Sequence, residues 1–313
     1  MLKELAREIA PALTALFKSS LSSGSVPAEW RDAHITPIYK KGEQYNPANY
    51  WPVSLISVVC KLLEHNIVSA VMRHSEENSI LTDNQHGFRR GRSCETQLLE
   101  LVEELTTNLE SSKQTDILIT DFSKAFDKMN HSLLLHKLQR YGVQGTTNTW
   151  IANFLNNRHQ AAVVSGASSH FVNVMSGVPR GSMLGPCLFL AYINDMPENL
   201  SALARLFADD TAVYKTISNG HDQPSYRKLD LQRLADWEES WDMEFRPTKC
   251  QTLLITRSRK PLQPSYILHG HTLENVSSAK YLGVTINNTV SWDDHISNTC
   301  SKANRALASL DAT

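Results

Sequence analysis

Phe207-Ala208-Asp209-Asp210 sets two carboxylates side by side at the tip of an apolar hairpin, between Leu203-Ala-Arg-Leu206 and Thr211-Ala-Val-Tyr214. Two like charges about 4 Å apart repel by about 4 kcal/mol at an effective dielectric of ~20, so water must screen them or a divalent cation neutralise them. On its own the pair reads equally well as a solvated turn, because Asp is a common turn residue. Asp121 gives it company. It ends the run Ile117-Leu118-Ile119, too apolar for an edge strand, where a carboxylate needs a partner. The competing reading of Asp121 is an N-cap for a helix at Lys124-Ala125-Phe126. Asp127, one turn further, is expected to face Lys124 or His131. If neighbouring strands bring Asp121 to the 207–210 hairpin, three carboxylates converge. Such a hard-oxygen set suits Mg²⁺ and leaves positions open for phosphates. Two ions held that way serve in-line phosphoryl transfer, one activating the attacking oxygen and one stabilising the leaving group.

The elements that must position these groups follow from hydrophobic spacing. Leu5, Ile9, Leu13, Leu16 and Phe17 share one helical face, with a kink expected at Pro11. Val58 to Val71 and Leu98 to Leu109 read as helices, and His86-Gly-Phe-Arg-Arg-Gly-Arg92 between them as a compact basic loop. Further helices are expected over Leu133–Tyr141, Trp150–Leu155, the apolar block after Ser182, Leu229–Trp241 and Trp292–Leu310. Strands are expected at His34–Tyr39, Ile117–Ile119, Ala161–Val164, Phe171–Met175, Leu203–Ala208, Thr211–Thr216, near Leu253 and Ile267, and at Tyr281–Ile286. His269-Gly270-His271 reads as a hairpin turn in preference to a metal pair. Short hairpin-joined strands with interleaved helices make the class α+β.

Composition narrows the function. The chain has 313 residues with Lys+Arg 31 against Asp+Glu 32, a formal net charge of −1, which excludes attachment to nucleic acid by bulk charge but not by a local basic groove. Five cysteines without CxxC spacing argue against a disulfide framework or a zinc ribbon and fit a reducing, intracellular (cytoplasmic or nuclear) setting. No apolar run approaches the ~20 residues of a membrane span.

Seven segments in order carry a resemblance: Thr36-Pro-Ile-Tyr-Lys-Lys-Gly42, Asn49-Tyr-Trp-Pro-Val-Ser-Leu55, Gln85-His-Gly-Phe-Arg-Arg-Gly-Arg92, Asp121-Phe-Ser-Lys-Ala-Phe-Asp127, Ser176-Gly-Val-Pro-Arg-Gly-Ser182, Phe207-Ala-Asp-Asp210 and Tyr281-Leu-Gly-Val284. Together they resemble the reverse transcriptase of LINE-type (non-LTR), jockey-like retrotransposons over nearly the whole chain. The resemblance implies a right-hand polymerase with fingers, an antiparallel palm sheet and a truncated thumb. Its parts would be an N-terminal helical extension (1–33), fingers (34–115), palm (116–286, with part of the fingers inserted at about 143–175) and the start of a thumb (287–313).

It also implies roles. Asp121, Asp209 and Asp210 would be the catalytic, metal-binding carboxylates, with the Phe122 carbonyl a further ligand of two Mg²⁺. Phe126 would be the ring that excludes a ribose 2′-hydroxyl, although a core Phe fits the same place. Lys40, Lys41, Arg89, Arg180 and Gly181 would meet the nucleotide, and Lys249 would be a proton donor to pyrophosphate or a plain surface lysine. Arg90, Arg92, Tyr281, Leu282 and Gly283 would contact RNA template or DNA primer. Two positions depart from the family pattern: Trp51 stands where Arg is usual, and Arg180 where Gln is usual. An indole lacks the charged fork of Arg, and Arg180 would bring a charge to the nucleotide. These departures suggest a weakened enzyme or an impaired retrotransposon remnant. An RNA-dependent RNA polymerase shares the carboxylates, but Phe126 speaks against it.

Overall fold

The computed structural model describes residues 4–217, 229–263 and 265–310. In chain order the elements are α1 (Ala6–Ser23), β1 (Asp32–Tyr39), β2 (Tyr50–Leu55), α2 (Val58–Glu77), α3 (Cys94–Glu110), β3 (Gln114–Thr120), α4 (Ala125–Lys128), α5 (His131–Arg140), α6 (Gly145–Leu155), β4 (Arg158–Val164), β5 (Ala167–Ser168), β6 (Val172–Val174) and α7 (Leu184–Ile193). There follow β7 (Leu203–Phe207), β8 (Asp210–Ile217), α8 (Leu231–Ser240), β9 (Gln251–Ile255), β10 (Ile267–Leu268), β11 (His271–Thr272), β12 (Glu274–Val276), β13 (Ser278–Tyr281), β14 (Val284–Asn287) and α9 (Asp293–Leu310). The chain divides into two compact units, Met1–Leu81 with Lys124–Ile193, and Thr82–Ser123 with Asn194–Thr313. Within these units 82–115 groups with β3, and α4 to α7 group with the N-terminal third.

In the first unit β2, β1, β4 and β5 form a sheet in that order, with β6 on β4. The β1–β2 pair is antiparallel and the β1–β4 pair parallel. Helix α7 is apolar on every side and almost wholly buried, so the longest apolar run of the sequence is a core helix. Its N-terminus is satisfied from inside: buried Glu64 accepts the amides of Met183 (2.8 Å) and Leu184 (3.1 Å) through Oε2. Helix α1 runs through Pro11.

In the second unit the sheet order is β12-β9-β3-β8-β7, antiparallel except for the β12–β9 edge pair. The Ile117 run is its central strand, buried nearly throughout, as its lack of polar alternation predicts. Helix α3 starts with a reciprocal Ser93–Thr96 capping box and lays Leu101, Leu105 and Leu109 against Ile117, Tyr214 and Leu253. The expected single strand at 281–286 is instead the hairpin β13–β14: Tyr281 pairs Val284 across a turn in which Leu282 (φ 46°) and Gly283 (φ 88°) are left-handed. A continuous apolar run hides such a turn; only its glycine signals it. His269 and Gly270 do form the tip of the β10–β11 hairpin, and His269 Nε2 lies 2.7 Å from Glu238 Oε2. All five cysteines are free, and among the described residues no helix is long and apolar enough to cross a membrane.

Candidate active site

Strand register brings the acidic residues together within the second unit. Thr120 of β3 stands opposite Thr211 of β8, so the next residue, Asp121, faces Asp210. Phe207 pairs Asp210 across a two-residue turn, and Ala208 in that turn takes a left-handed φ of 53°. Asp209 therefore projects from the turn and Asp210 from the first position of β8. Solvent reaches the mouth of the hairpin, yet partial burial, followed by the charges of Asp209 and Asp121, pushes the Asp210 pKa up to about 6. Asp121 does not cap a helix: α4 is entered through left-handed Lys124 with no side-chain cap. Its carboxylate instead lies 3.3 Å from the half-exposed ammonium of Lys249.

The backbone next to Asp121 is committed on one edge only. The Asp121 carbonyl accepts from the Arg246 amide (2.7 Å), and the Ser123 amide donates to the Glu244 carbonyl (2.7 Å). In such an antiparallel bridge the intervening residue, Phe122, turns its own carbonyl to the opposite edge, while its ring stacks on Phe245 at 4.3 Å. The donor set is thus hard oxygen with excess negative charge, which fits a divalent cation of the Mg²⁺ type. Among the described residues no three His, Cys, Asp or Glu side chains are already drawn into a ligating cluster. The Lys249 ammonium beside Asp121 offsets part of the carboxylates' repulsion.

The basic loop is built differently from the expected phosphate grip. Arg89 is buried and donates to the carbonyls of Thr82 (2.7 Å) and Gln85 (3.4 Å), tying its own loop together. Arg92 pairs Asp83 at 2.6 Å, and Arg90 is exposed. Tyr281 is likewise internal: its ring is in the core, and its hydroxyl donates to the Arg205 carbonyl (3.1 Å) while accepting from Gln97. Any contact made by this hairpin falls to the turn at Leu282 and Gly283.

The first unit holds the remaining predicted residues. Lys41 is exposed, and the Lys40 ammonium lies 5.3 Å from the centre of the Trp51 ring. An indole at 51 offers a cation platform where Arg would have repelled Lys40. Phe126 stacks on buried Phe189 with ring centres 4.4 Å apart. The 176–182 loop is bound to α4 and its flanks by backbone: Gly177 and Val178 amides donate to the carbonyls of Met129 (2.8 Å) and Phe126 (2.9 Å). Gly177 has no room for a Cβ, which would fall 2.5 Å from the Phe126 carbonyl oxygen. Gly181 is left-handed at φ 101°. Asp127 does not face Lys124 or His131. It accepts a two-pronged contact from Arg180, Nε at 3.0 Å and Nη2 at 2.8 Å, while His131 Nε2 meets the Gly177 carbonyl at 2.7 Å. Spacing missed this pair because its members lie on separate elements.

Residues 38–286 match the reverse transcriptase (RNA-dependent DNA polymerase) family. The chain belongs to that family. This reverse transcriptase domain is 29% identical over 308 residues to the "Probable RNA-directed DNA polymerase from transposon X-element" of Drosophila melanogaster, covering 94% of the chain and 33% of that protein. It is 27% identical over 295 residues to the RNA-directed DNA polymerase from mobile element jockey of the same species, covering 91% and 32%. The domain thus spans about a third of the length of the curated relatives it matches. In fold it is similar to telomerase from Candida albicans, solved with a fragment of telomeric RNA, with a TM-score of 0.52 at 11% identity over 88% of this chain and 50% of that one. One residue of the domain that composition and spacing passed over is Gln85, buried against the acidic hairpin. A lone Gln two residues before a Gly carries no signal until the fold places it.

Proposed function

We propose that this chain is the catalytic core of an RNA-directed DNA polymerase of a jockey-like non-LTR element. It would extend a DNA primer on an RNA template: the primer 3′-hydroxyl oxygen bonds to the α-phosphorus of a deoxynucleoside triphosphate, the bond to the β-phosphate breaks, and pyrophosphate leaves. The observation that carries this reading is the approach of Asp121, Asp209 and Asp210 at adjoining strand ends, where burial, followed by the charges of Asp209 and Asp121, raises the Asp210 pKa to about 6. In this reading Asp121, Asp209, Asp210 and the Phe122 carbonyl would hold two Mg²⁺, which when bound supply charge neutralisation for the triphosphate and the attacking oxygen. The chain's own groups do the remaining work. The β3–β8 register fixes the spacing of the carboxylates, and Lys249 Nζ presents a mobile positive charge, able to give up a proton, to an anionic leaving group.

The right-hand subdivision belongs to the same proposal, with the second unit's sheet as palm and α9 as the start of a thumb. So do the nucleotide-side roles of Lys40, Lys41, Phe126 and Gly181, the contacts of Arg90, Arg92, Leu282 and Gly283 with template or primer, and deoxynucleotide selection by Phe126. The Asp127–Arg180 pair favours one refinement. Arg180 stands where the family uses Gln, and its guanidinium is already engaged, so nucleotide affinity is expected to be low without loss of metal binding. Primer extension on an RNA template with Mg²⁺ tests the reading. Asp209→Asn is expected to cut incorporation by at least about 10³-fold; equal incorporation by both proteins ends it.

A further inference from the structure

The turn that carries Asp209 poses a local problem. Ala208 opens a two-residue hairpin at φ 53°, a conformation an L side chain disfavours, and it is buried to 4% exposure. Its amide lies outside the β7–β8 ladder and needs an acceptor that the hairpin itself does not supply. The acceptor comes from the basic loop. Gln85, 2% exposed, places Oε1 3.0 Å from the Ala208 amide and 2.8 Å from the Gly87 amide. Two donors converging on one side-chain oxygen settle which end of the carboxamide is which.

The backbone around Gln85 is fastened to the same hairpin. Residues 84–86 run along β7 as a parallel bridge, with the Leu206 amide donating to the Asn84 carbonyl (2.9 Å) and the His86 amide to the Leu206 carbonyl (2.9 Å). Gly87 then passes so close that a Cβ there would sit 2.5 Å from the Ala208 nitrogen and 3.0 Å from the Phe207 carbonyl carbon. Buried Arg89 and partly exposed Arg92 both donate to the Gln85 carbonyl, at 3.4 and 3.5 Å. Loop and turn are one assembly, and the Gln85 carboxamide is its joint.

We propose that Gln85 is a positioning residue for the acidic turn: by accepting the Ala208 amide it holds the left-handed conformation from which Asp209 and Asp210 project. The proposal rests on the polymerase reading for its consequence in rate, but its structural content is independent of that reading. Gln85→Met keeps the length and removes the acceptor. It is expected to lower kcat for primer extension ~10–100-fold while leaving KM for the nucleotide within about twofold, the pattern of a misplaced group and not of a lost ligand contact. Amide exchange over 206–210 should quicken by roughly tenfold or more, with 114–120 unchanged. Gln85→Glu retains the acceptor and should retain wild-type protection of the turn. Adding Ala208→Gly to Gln85→Met should recover part of the lost rate, since glycine takes φ 53° without steric cost.

Unchanged kcat and unchanged exchange in Gln85→Met would overturn the proposal. Should that variant not fold, the wild-type protein decides: the Ala208 amide must be protected at least about a hundredfold although it lies outside the ladder, and exchange at the free-chain rate would overturn the proposal equally. If wild-type protein incorporates no nucleotide while the exchange pattern holds, the polymerase reading has failed and the brace stands. If incorporation is robust and exchange in Gln85→Met is unaltered, the reverse is true.

Discussion

Two charged regions of this molecule solve the same problem in opposite ways. At the 207–210 hairpin, strand register brings three carboxylates to adjoining positions, with Lys249 beside Asp121; burial, then the charges of Asp209 and Asp121, push Asp210 up to about 6. At the 176–182 loop, the Arg180 guanidinium is met in full by both oxygens of Asp127, and backbone hydrogen bonds fix the rest. In the first region like charges gather; in the second, opposite charges meet. The sequence shows both as acidic or basic letters of equal standing. Only the fold tells them apart.

The contrast can be broken most decisively at its acidic side. Asp121→Asn should cost at least about 10³-fold in nucleotide incorporation while leaving the melting temperature near that of the wild type, because it removes a ligand-facing charge and no packing. A large fall in melting temperature with intact incorporation would reverse the assignment. On the scaffold side, Gly177→Ala should behave in the opposite manner. A Cβ 2.5 Å from the Phe126 carbonyl, at a φ of 75°, is expected to cost about 2–4 kcal/mol of stability, read from denaturant unfolding.

A smaller effect sharpens the comparison at the pair itself. Arg180→Gln restores the residue usual in the family, and because both partners are a third or so exposed, it should change stability by about 1 kcal/mol or less. It should lower KM for the nucleotide several-fold; an unchanged KM would remove Arg180 from the nucleotide site. The smallest expected effect is pH-dependent. Burial, aided by Arg92, Arg205 and Arg89 and opposed by Glu100, holds the His86 pKa below its ordinary value. The folded state then resists protonation that the unfolded chain accepts near pH 6.5, so this residue's contribution is present above that pH and is lost as pH falls through the folded value. Stability should decline by about 1 kcal/mol or less between pH 7 and 5.5, and His86→Gln should flatten that slope.

Much of this was legible in the letters, and the failures have physical reasons. The central strand, α3 and the acidic hairpin could be read because their signals are local: an apolar run, a heptad-like face, two Asp between β-formers. The convergence of Asp121 with Asp210 followed from strand pairing alone. What could not be read was direction. The resemblance assigns Arg89 to the nucleotide, and the letters do not show its reach to the Thr82 and Gln85 carbonyls, which closes the loop on itself. Tyr281 was expected at a primer, yet its ring fills the core and its hydroxyl finds Arg205 and Gln97. Asp127 and Arg180 are 53 positions apart, and no periodicity links them. Burial of a long polar side chain depends on partners from other elements, which a single sequence does not display.

The bonded arginines of the basic loop have a consequence for how such a domain would hold RNA. Arg89 is committed to carbonyls and Arg92, partly exposed, is shared with Asp83, so in that loop Arg90 wholly and Arg92 in part face solvent to displace condensed counterions from a phosphate chain. Each phosphate neutralised on a single strand contributes about −0.7 to the slope of log affinity against log salt. With so few cations facing solvent, this loop should add little to that slope.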